Sequence, residues 1–209
     1  MAIIKQGILG GIQKKIGNIV GTSWKGIAVI KSLPISVANP RTAAQVEQRS
    51  RFSNCVSFAV AILAEVIKPL WDRFSQKQSG YNAFISNNIA YFDNTGLIAP
   101  SNLEISRGKM SQTTITTANA SSSELKVTVN WNNDAGQGFK QSTDIAYIVV
   151  MNANTKEVRG FDTGVQRTAQ TATVEMKMEV GETIHVWLAF KRVDGTIVSD
   201  TSYKTTTAT

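Results

Sequence analysis

The chain has 209 residues, 42% of them hydrophobic and 18% charged, with a net charge of +7. That composition excludes a disordered chain, and the length suits one or two domains that bury a sizeable core. A single cysteine, Cys55, excludes an intrachain disulfide and any cysteine-based zinc cluster.

The positive charge is concentrated at one end. Lys5, Lys14, Lys15, Lys25, Lys31, Arg41, Arg49 and Arg51 face a single acid, Glu47, in the first 60 residues, and the rest of the chain balances to zero. Such asymmetry suggests a negative partner, either nucleic acid or an acidic protein surface, against the plainer reading of a solvated basic face. Lys14, Lys15, Lys25 and Lys31 are the candidate contacts to an anionic partner. Aromatic residues interleaved with the charges would strengthen a nucleic-acid reading, but only Trp24, Phe52 and Phe58 are at hand.

The opening MAIIKQGILGGIQKK lacks the uninterrupted apolar run and cleavage pattern of a secretory signal, so synthesis in the cytoplasm is expected. Gly7, Gly10, Gly11, Gly17, Gly21 and Gly26 then defeat a helix and suit turns. GNIVGTSWKGIAVIKS reads as two short strands, so residues 1–38 are expected to be a glycine-rich basic β-hairpin or arm that pairs with a sheet edge. No Gly-Lys-Ser/Thr closes the glycine run and no GxGxxG is present, so a phosphate cradle is not supported.

Residues 39–96 read as helical. Asn39 is a favoured N-cap, Pro40 suits the first helical position and Pro69 marks a stop, which predicts one long helix over 40–67 of about 42 Å. Its first half is polar and arginine-rich. Its second half, with Val56, Phe58, Val60, Ile62, Leu63, Val66 and Ile67, is apolar nearly all round and must be covered by its own chain or by neighbouring subunits. The uncharged run within it is too short to span a bilayer, which needs about 20 residues. Leu70, Trp71 and Phe74 suit a short helical piece, and Ser79 can cap another in which Tyr81, Phe84, Ile85, Asn88, Ile89 and Phe92 recur at helical spacing. An aromatic stripe of this kind belongs to a core more often than to a stacking platform.

From Leu97 the period changes to two. Strands are expected at Leu103 and Ile105, at Leu125 to Trp131, Ile145 to Met151, Thr171 to Met178 and Thr183 to Phe190. A hairpin at Asp194-Gly195 then leads into Thr196 to Ser199. SQTTITTANASSS and the KTTTAT tail read as mobile Ser/Thr-rich segments. About six or seven short strands predict an immunoglobulin-like β-sandwich over 97–209, and the whole chain is of the α+β class.

Little here supports catalysis. His185 is the only histidine and sits in an apolar strand, Cys55 lies in the apolar half of the helix, and the acids form no close cluster. No catalytic set, metal ligand or cofactor site is assigned, and an enzyme is not expected.

GGIQKKIGNIVGTSWKG at 10–26, NPRTAAQVEQRSRF at 39–52 and SGYNAFISNN at 79–88, followed by a strand-rich half, resemble a family of unknown function found in Bacteroidetes-type bacteria and their tailed phages. The resemblance implies a virion component made in the host cytoplasm. Joined to the architecture, it leads to the expectation of a non-enzymatic structural subunit, an oligomeric neck or tail ring protein in contact with copies of itself and other virion proteins. Trp24, Lys25, Arg41, Arg49, Arg51 and Phe52 are the candidate interface residues. The alternatives are a head-surface or fibre-attachment module that binds a glycan or protein, and a nucleic-acid-binding protein that uses the basic first 60 residues. No membrane partner is expected.

Overall fold

The computed structural model describes residues 2–3, 14–36 and 41–209, which fall into two compact units, Met1–Thr42 and Ala43–Thr209. In the first unit β1 (Ala2–Ile3), β2 (Lys14–Ile16), β3 (Ile19–Trp24) and β4 (Ile27–Ser32) form an antiparallel sheet in the order β1-β4-β3-β2. Lys25 and Gly26, at φ 49° and 81°, close β3 onto β4 in a two-residue turn whose central residues are both left-handed, the geometry that matches strand twist. The N-cap and first-turn residues expected for the long helix, Asn39 and Pro40, lie outside the described residues.

In the second unit α1 spans Ala43–Ala61, a π-turn follows at Leu63–Ile67, and α2 is Lys68–Trp71. The single rod expected over 40–67 is therefore broken: the axis bends by 71° and the helix continues through Pro69. Proline in the first turn of a helix loses no hydrogen bond, and the bend falls at the π-turn, where Ile67 N reaches back five residues to Ile62 O at 3.1 Å. Ser79, the expected cap, accepts from Asn82 N at 3.2 Å and starts α3 (Gly80–Asn88).

Seven strands follow. β5 (Ile115–Ser121), β6 (Lys126–Trp131) and β9 (Thr171–Glu175) form one sheet in the order β5-β6-β9. β7 (Ile145–Asn152), β8 (Val158–Gln166), β10 (Thr183–Lys191) and β11 (Ser202–Thr207) form the other, in the order β11-β10-β7-β8. The inner faces share one core, in which Val127, Val129 and Trp131 meet Ile148, Val150, Val186, Leu188 and Phe190.

The four-stranded sheet is buried on its other face as well. Tyr147, Val149 and Met151 of β7 and Trp187 and Ala189 of β10 turn away from the sandwich and pack with Phe58, Ile62, Val66, Leu70 and Phe84 of the helices. This explains why IAYIVVMN and TIHVWLAF are nearly continuous apolar runs: alternate residues serve two different cores. The helical segment is thus not a separate domain, as a boundary at residue 96 had implied, but the third layer of the same unit.

Several segments differ from the sequence expectation, among them 196–199, where isolated bridges at Val198 and Ser199 stand in place of the expected strand. Leu103 and Ile105 are buried but form no strand. The supposed linker at 111–123 contains β5, and the supposed tail contains β11. Threonine favours strands, and Ala118, Ala120 and Ala208 fill the inward positions with side chains too small to register as a hydrophobic pattern. β8 is a further strand that the period-two pattern does not predict, because Gly160 and Gly164 interrupt its apolar residues.

One end of the sandwich is held by a buried ion network. Arg167 is fully buried, with Nη1 2.5 Å from Asp134 Oδ1, Nη2 3.1 Å from Asp144 Oδ2 and the guanidinium carbon 3.9 Å from the centre of the Phe190 ring. Its Nη1 also donates to Thr113 Oγ1, and its carbonyl accepts from Trp131 Nε1 at 2.9 Å. Lys140 Nζ completes the set, 2.5 Å from Asp134 Oδ2 and 3.0 Å from Gln112 O. Two cations and two carboxylates balance, which is the condition under which buried charge is tolerated.

Two predictions follow from these contacts. A Cβ at Gly160 would lie 2.8 Å from Val66 Cγ2 and 3.0 Å from Ile62 Cγ2, so Gly160→Val wedges the helical layer off the sheet. Urea unfolding of that variant should show a loss of about 1–3 kcal/mol. Arg167→Leu leaves Asp134 and Asp144 without their shared cation and should cost about 3–5 kcal/mol in the same assay.

The network also sets an acid dependence. Burial raises the Asp134 pKa, but hydrogen bonds and charge from Lys140 and Arg167 outweigh it and hold the carboxyl below its ordinary value. A depressed folded pKa stabilises fully above the unfolded value of about 3.9, and the gain is lost as pH falls through the folded value. Asp134→Asn should therefore be less stable at neutral pH and have a flatter stability curve below about pH 4, as measured by urea midpoints across pH.

Candidate assembly surface

In the first two turns of α1 every residue from Ala43 to Arg49 is exposed. Burial starts at Cys55, Phe58 and Ala59, where the helix reaches the sheet. Val46, Phe52 and Val60 are consequently half-exposed, at 46%, 50% and 57%. At 100° per residue, Val46, Ser50, Ser53, Ser57 and Val60 fall on the side of α1 opposite the buried Cys55, Ala59 and Ile62, making a stripe of small and apolar side chains that faces outward.

The charged residues of this helix are partly committed locally. Arg51 Nη2 lies 3.8 Å from Glu47 Oε1, its Nε is buried without a hydrogen-bond partner, and its charge helps lower the pKa of Asp93. Hydrogen bonds from the Thr95 hydroxyl and amide are the larger causes of that shift. Asn54 Nδ2 donates to Asp93 O at 2.8 Å and anchors the 93–97 loop beside α1. A cavity of about 180 Å³ lies in this corner, lined by Asn54, Ser57, Phe58, Leu97 and Lys156 among others.

In the small sheet the candidate lysines divide. Lys15 and Lys31 both pair with Val20 and share a face, Lys14 is in register with Gly21 on the other face, and Lys25 occupies the β3–β4 turn. All four are exposed. Ile16 (59%), Ile19 (46%) and Ile27 (42%) are exposed as well, with Ile16 and Ile19 paired on one face and Ile27 on the other. Trp24 pairs with Ile27 beside the turn. Arg41 precedes α1 and is exposed. The sequence-nominated residues thus occupy two surfaces, the small sheet with Arg41 in one unit and the N-terminal half of α1, with Arg49, Arg51 and Phe52, in the other.

Of the residues weighed for chemistry, Cys55 is built into a core and His185 is half-buried in β10. Cys55 is fully buried, and burial pushes its thiol up to about 11, away from nucleophilic thiolate. His185 Nδ1 is 2.8 Å from the Tyr203 hydroxyl, and burial, aided by Lys156, lowers its pKa. No group of three His, Cys, Asp or Glu side chains among the described residues is placed to hold a metal ion. Among those residues, too, no single helix is long and apolar enough to cross a membrane.

A second feature was invisible to sequence reading. Tyr91, Ser101, Asn102, Glu104, Arg107, Gln112, Asp200 and Thr201 line a polar cleft of about 520 Å³. These residues are scattered over 110 positions of the chain, with no local spacing that could reveal them.

No curated protein matches the chain. Among solved structures, the chicken CNTN1 FN1–FN3 domains are similar at 12% identity and a TM-score of 0.33, over 48% of this chain and 33% of that one. The matched part is thus about a third of that structure's chain. With residues 11–205 matched by the family model, the chain belongs to DUF6266, a family of unknown function.

Proposed function

We propose that this chain is a non-enzymatic structural subunit of a tailed-phage particle, a neck or tail ring protein that assembles with copies of itself. The observation that carries the reading is the uncovered half of α1. A helix ordinarily gains most of its stability by packing one face, yet this one extends about two turns beyond its layer with Val46 and Phe52 in water. A neighbouring copy that covered this stretch would bury Phe52, Val46 and the small-residue stripe.

The small sheet supports the same reading. It exposes isoleucines on both faces and is too small to enclose a core of its own, a composition suited to packing against other chains. We read the sandwich as immunoglobulin-like, since its seven strands divide between two sheets in the manner of that fold, with β8 pairing β7 and not β9. Folds of this kind serve as binding and spacing modules, and other virion proteins are the expected further partners. Among the described residues the lysines divide between faces and form no continuous basic track, so their geometry does not favour the nucleic-acid alternative.

Light scattering on a size-exclusion column should find the full chain as a discrete, nucleic-acid-free oligomer at both low and high salt. The double substitution Val46→Glu, Phe52→Glu should shift it to monomer without loss of the folded circular-dichroism spectrum. A wild-type chain that stays monomeric at high concentration, or an oligomer that tolerates the double substitution, would overturn the reading.

A further inference from the structure

The polar cleft has the construction of a binding site. Its floor is the segment 103–108, tied on both sides. Glu104 N donates to Asn88 Oδ1 at 2.8 Å, and the fully buried Asn88 returns its Nδ2 to Glu104 O and Phe84 O, both at 3.0 Å. On the other side Ser106 N donates to Thr201 Oγ1 at 3.0 Å, and Thr201 Oγ1 donates to Ser106 O at 2.8 Å. Ser106 Oγ donates to Ser199 O at 2.7 Å, and Gly108 N to Asp200 Oδ1 at 3.1 Å. Tyr91, at the rim, has its carbonyl fixed by Ile98 N at 2.9 Å. These bonds hold the backbone at Glu104, Ser106 and Gly108, so the side chains that line the cleft are carried on a tied frame before any ligand arrives.

The lining decides the ligand class. Glu104 and Asp200 are acceptors, Arg107 is a donor, and Asn102 and Gln112 are both, with a single aromatic ring, Tyr91, among them. Arg107 Nη1 lies 3.9 Å from Glu104 Oε2 and 3.4 Å from Asn87 Oδ1, and its side chain stays 65% exposed. Two carboxylates against one guanidinium leave the cleft net negative, which repels phosphate, sulfate and acidic polysaccharide. So polar a lining also wastes an apolar ligand, whose entry would strand donors and acceptors.

A neutral sugar meets both conditions. Its adjacent hydroxyls donate to carboxylates and accept from guanidinium and amide groups, and its C–H face can lie on a tyrosine ring. The cleft volume of about 520 Å³ is that of an ordinary small-ligand site. We propose that the cleft formed by Tyr91, Asn102, Glu104, Arg107, Gln112 and Asp200 binds a neutral glycan, a second activity independent of the assembly surface.

The test is a titration of the isotopically labelled full chain with maltose, cellobiose, mannobiose and chitobiose, with digalacturonic acid as the acidic control, followed by amide chemical shifts. At least one neutral disaccharide should give saturable shifts centred on residues 91, 102–107 and 200, and digalacturonic acid should give none. Arg107→Ala, an exposed position that folding does not depend on, should weaken binding roughly tenfold or more. Tyr91→Ala should abolish it. Asp200→Asn, which keeps the acceptor for Gly108 N, should also weaken it. Absence of saturable shifts with all four neutral sugars, preference for the acidic one, or binding unaffected by Arg107→Ala would overturn the proposal.

Discussion

The double burial of the β11-β10-β7-β8 sheet is the constraint on which the larger unit depends. A sheet with one wet face can be built from alternating residues, but a sheet between two layers needs apolar side chains on both faces and complementary surfaces on both sides. Trp187, fully buried in β10, shows how the outer interface is keyed. Its ring meets Phe58 of α1 edge-on at 5.9 Å and lies 5.7 Å from Tyr203 of β11, and its Nε1 donates to Pro100 O at 2.8 Å. Trp71 plays the matching part from the helical side, donating to Ile105 O at 2.8 Å. Each indole spends its one donor on a carbonyl of the 99–106 segment, which holds only the short 3-10 turn Pro100–Asn102, so the segment is pinned by a donor from each of the two layers.

The bend in the helix follows from the same constraint. A straight rod of about 42 Å would leave the sheet, whereas a 71° turn lets Ile62, Val66, Ile67, Leu70 and Trp71 continue along it. The close approach at Gly160 lies at this turn, under Ile62 and Val66. The part of α1 before Cys55 contributes nothing to the core of the larger unit, and its residues are accordingly polar or small apart from Val46 and Phe52.

Period-two patterning made β6, β7, β9 and β10 legible because each carries branched or aromatic residues on its inner face. β5 and β11 were hidden by alanine and threonine, and β8 by its glycines, since a pattern reading weighs side-chain bulk and these strands contribute little of it. A helix is legible over Ala43–Ala61, but the expected single rod over 40–67 is broken by the bend, and Pro69, in a new first turn, is compatible with continuation and does not mark a stop. The apolar second half of the helix left its cover open between its own chain and a neighbour, and its own sheet supplies that cover. For the candidate surfaces, the charge imbalance singled out Lys14 to Lys31 and Arg41 to Arg51 as residues, but could not say which faces they occupy. Which face a lysine occupies depends on strand register, and register in so short a sheet is set by turns that the glycines permit but do not number. The polar cleft could not be read at all, because it is assembled from three remote stretches by the packing of the layers.

The buried charges and the exposed apolar groups make opposite demands. Arg167, Asp134, Asp144 and Lys140 are paired with one another, with Thr113 and with the backbone at Gln112 and Gln141, although Asp144 Oδ1 is buried without a hydrogen-bond partner, and together they fix the 132–144 loop against the sandwich end. Phe52, Val46 and the isoleucines of the small sheet are the reverse: they contribute little to the fold that displays them, and their removal from water is a gain still available to association. The four charges at the sandwich end are spent on the fold, whereas these branched and aromatic side chains remain at the surface, in the elements that lie farthest from the sandwich core in sequence.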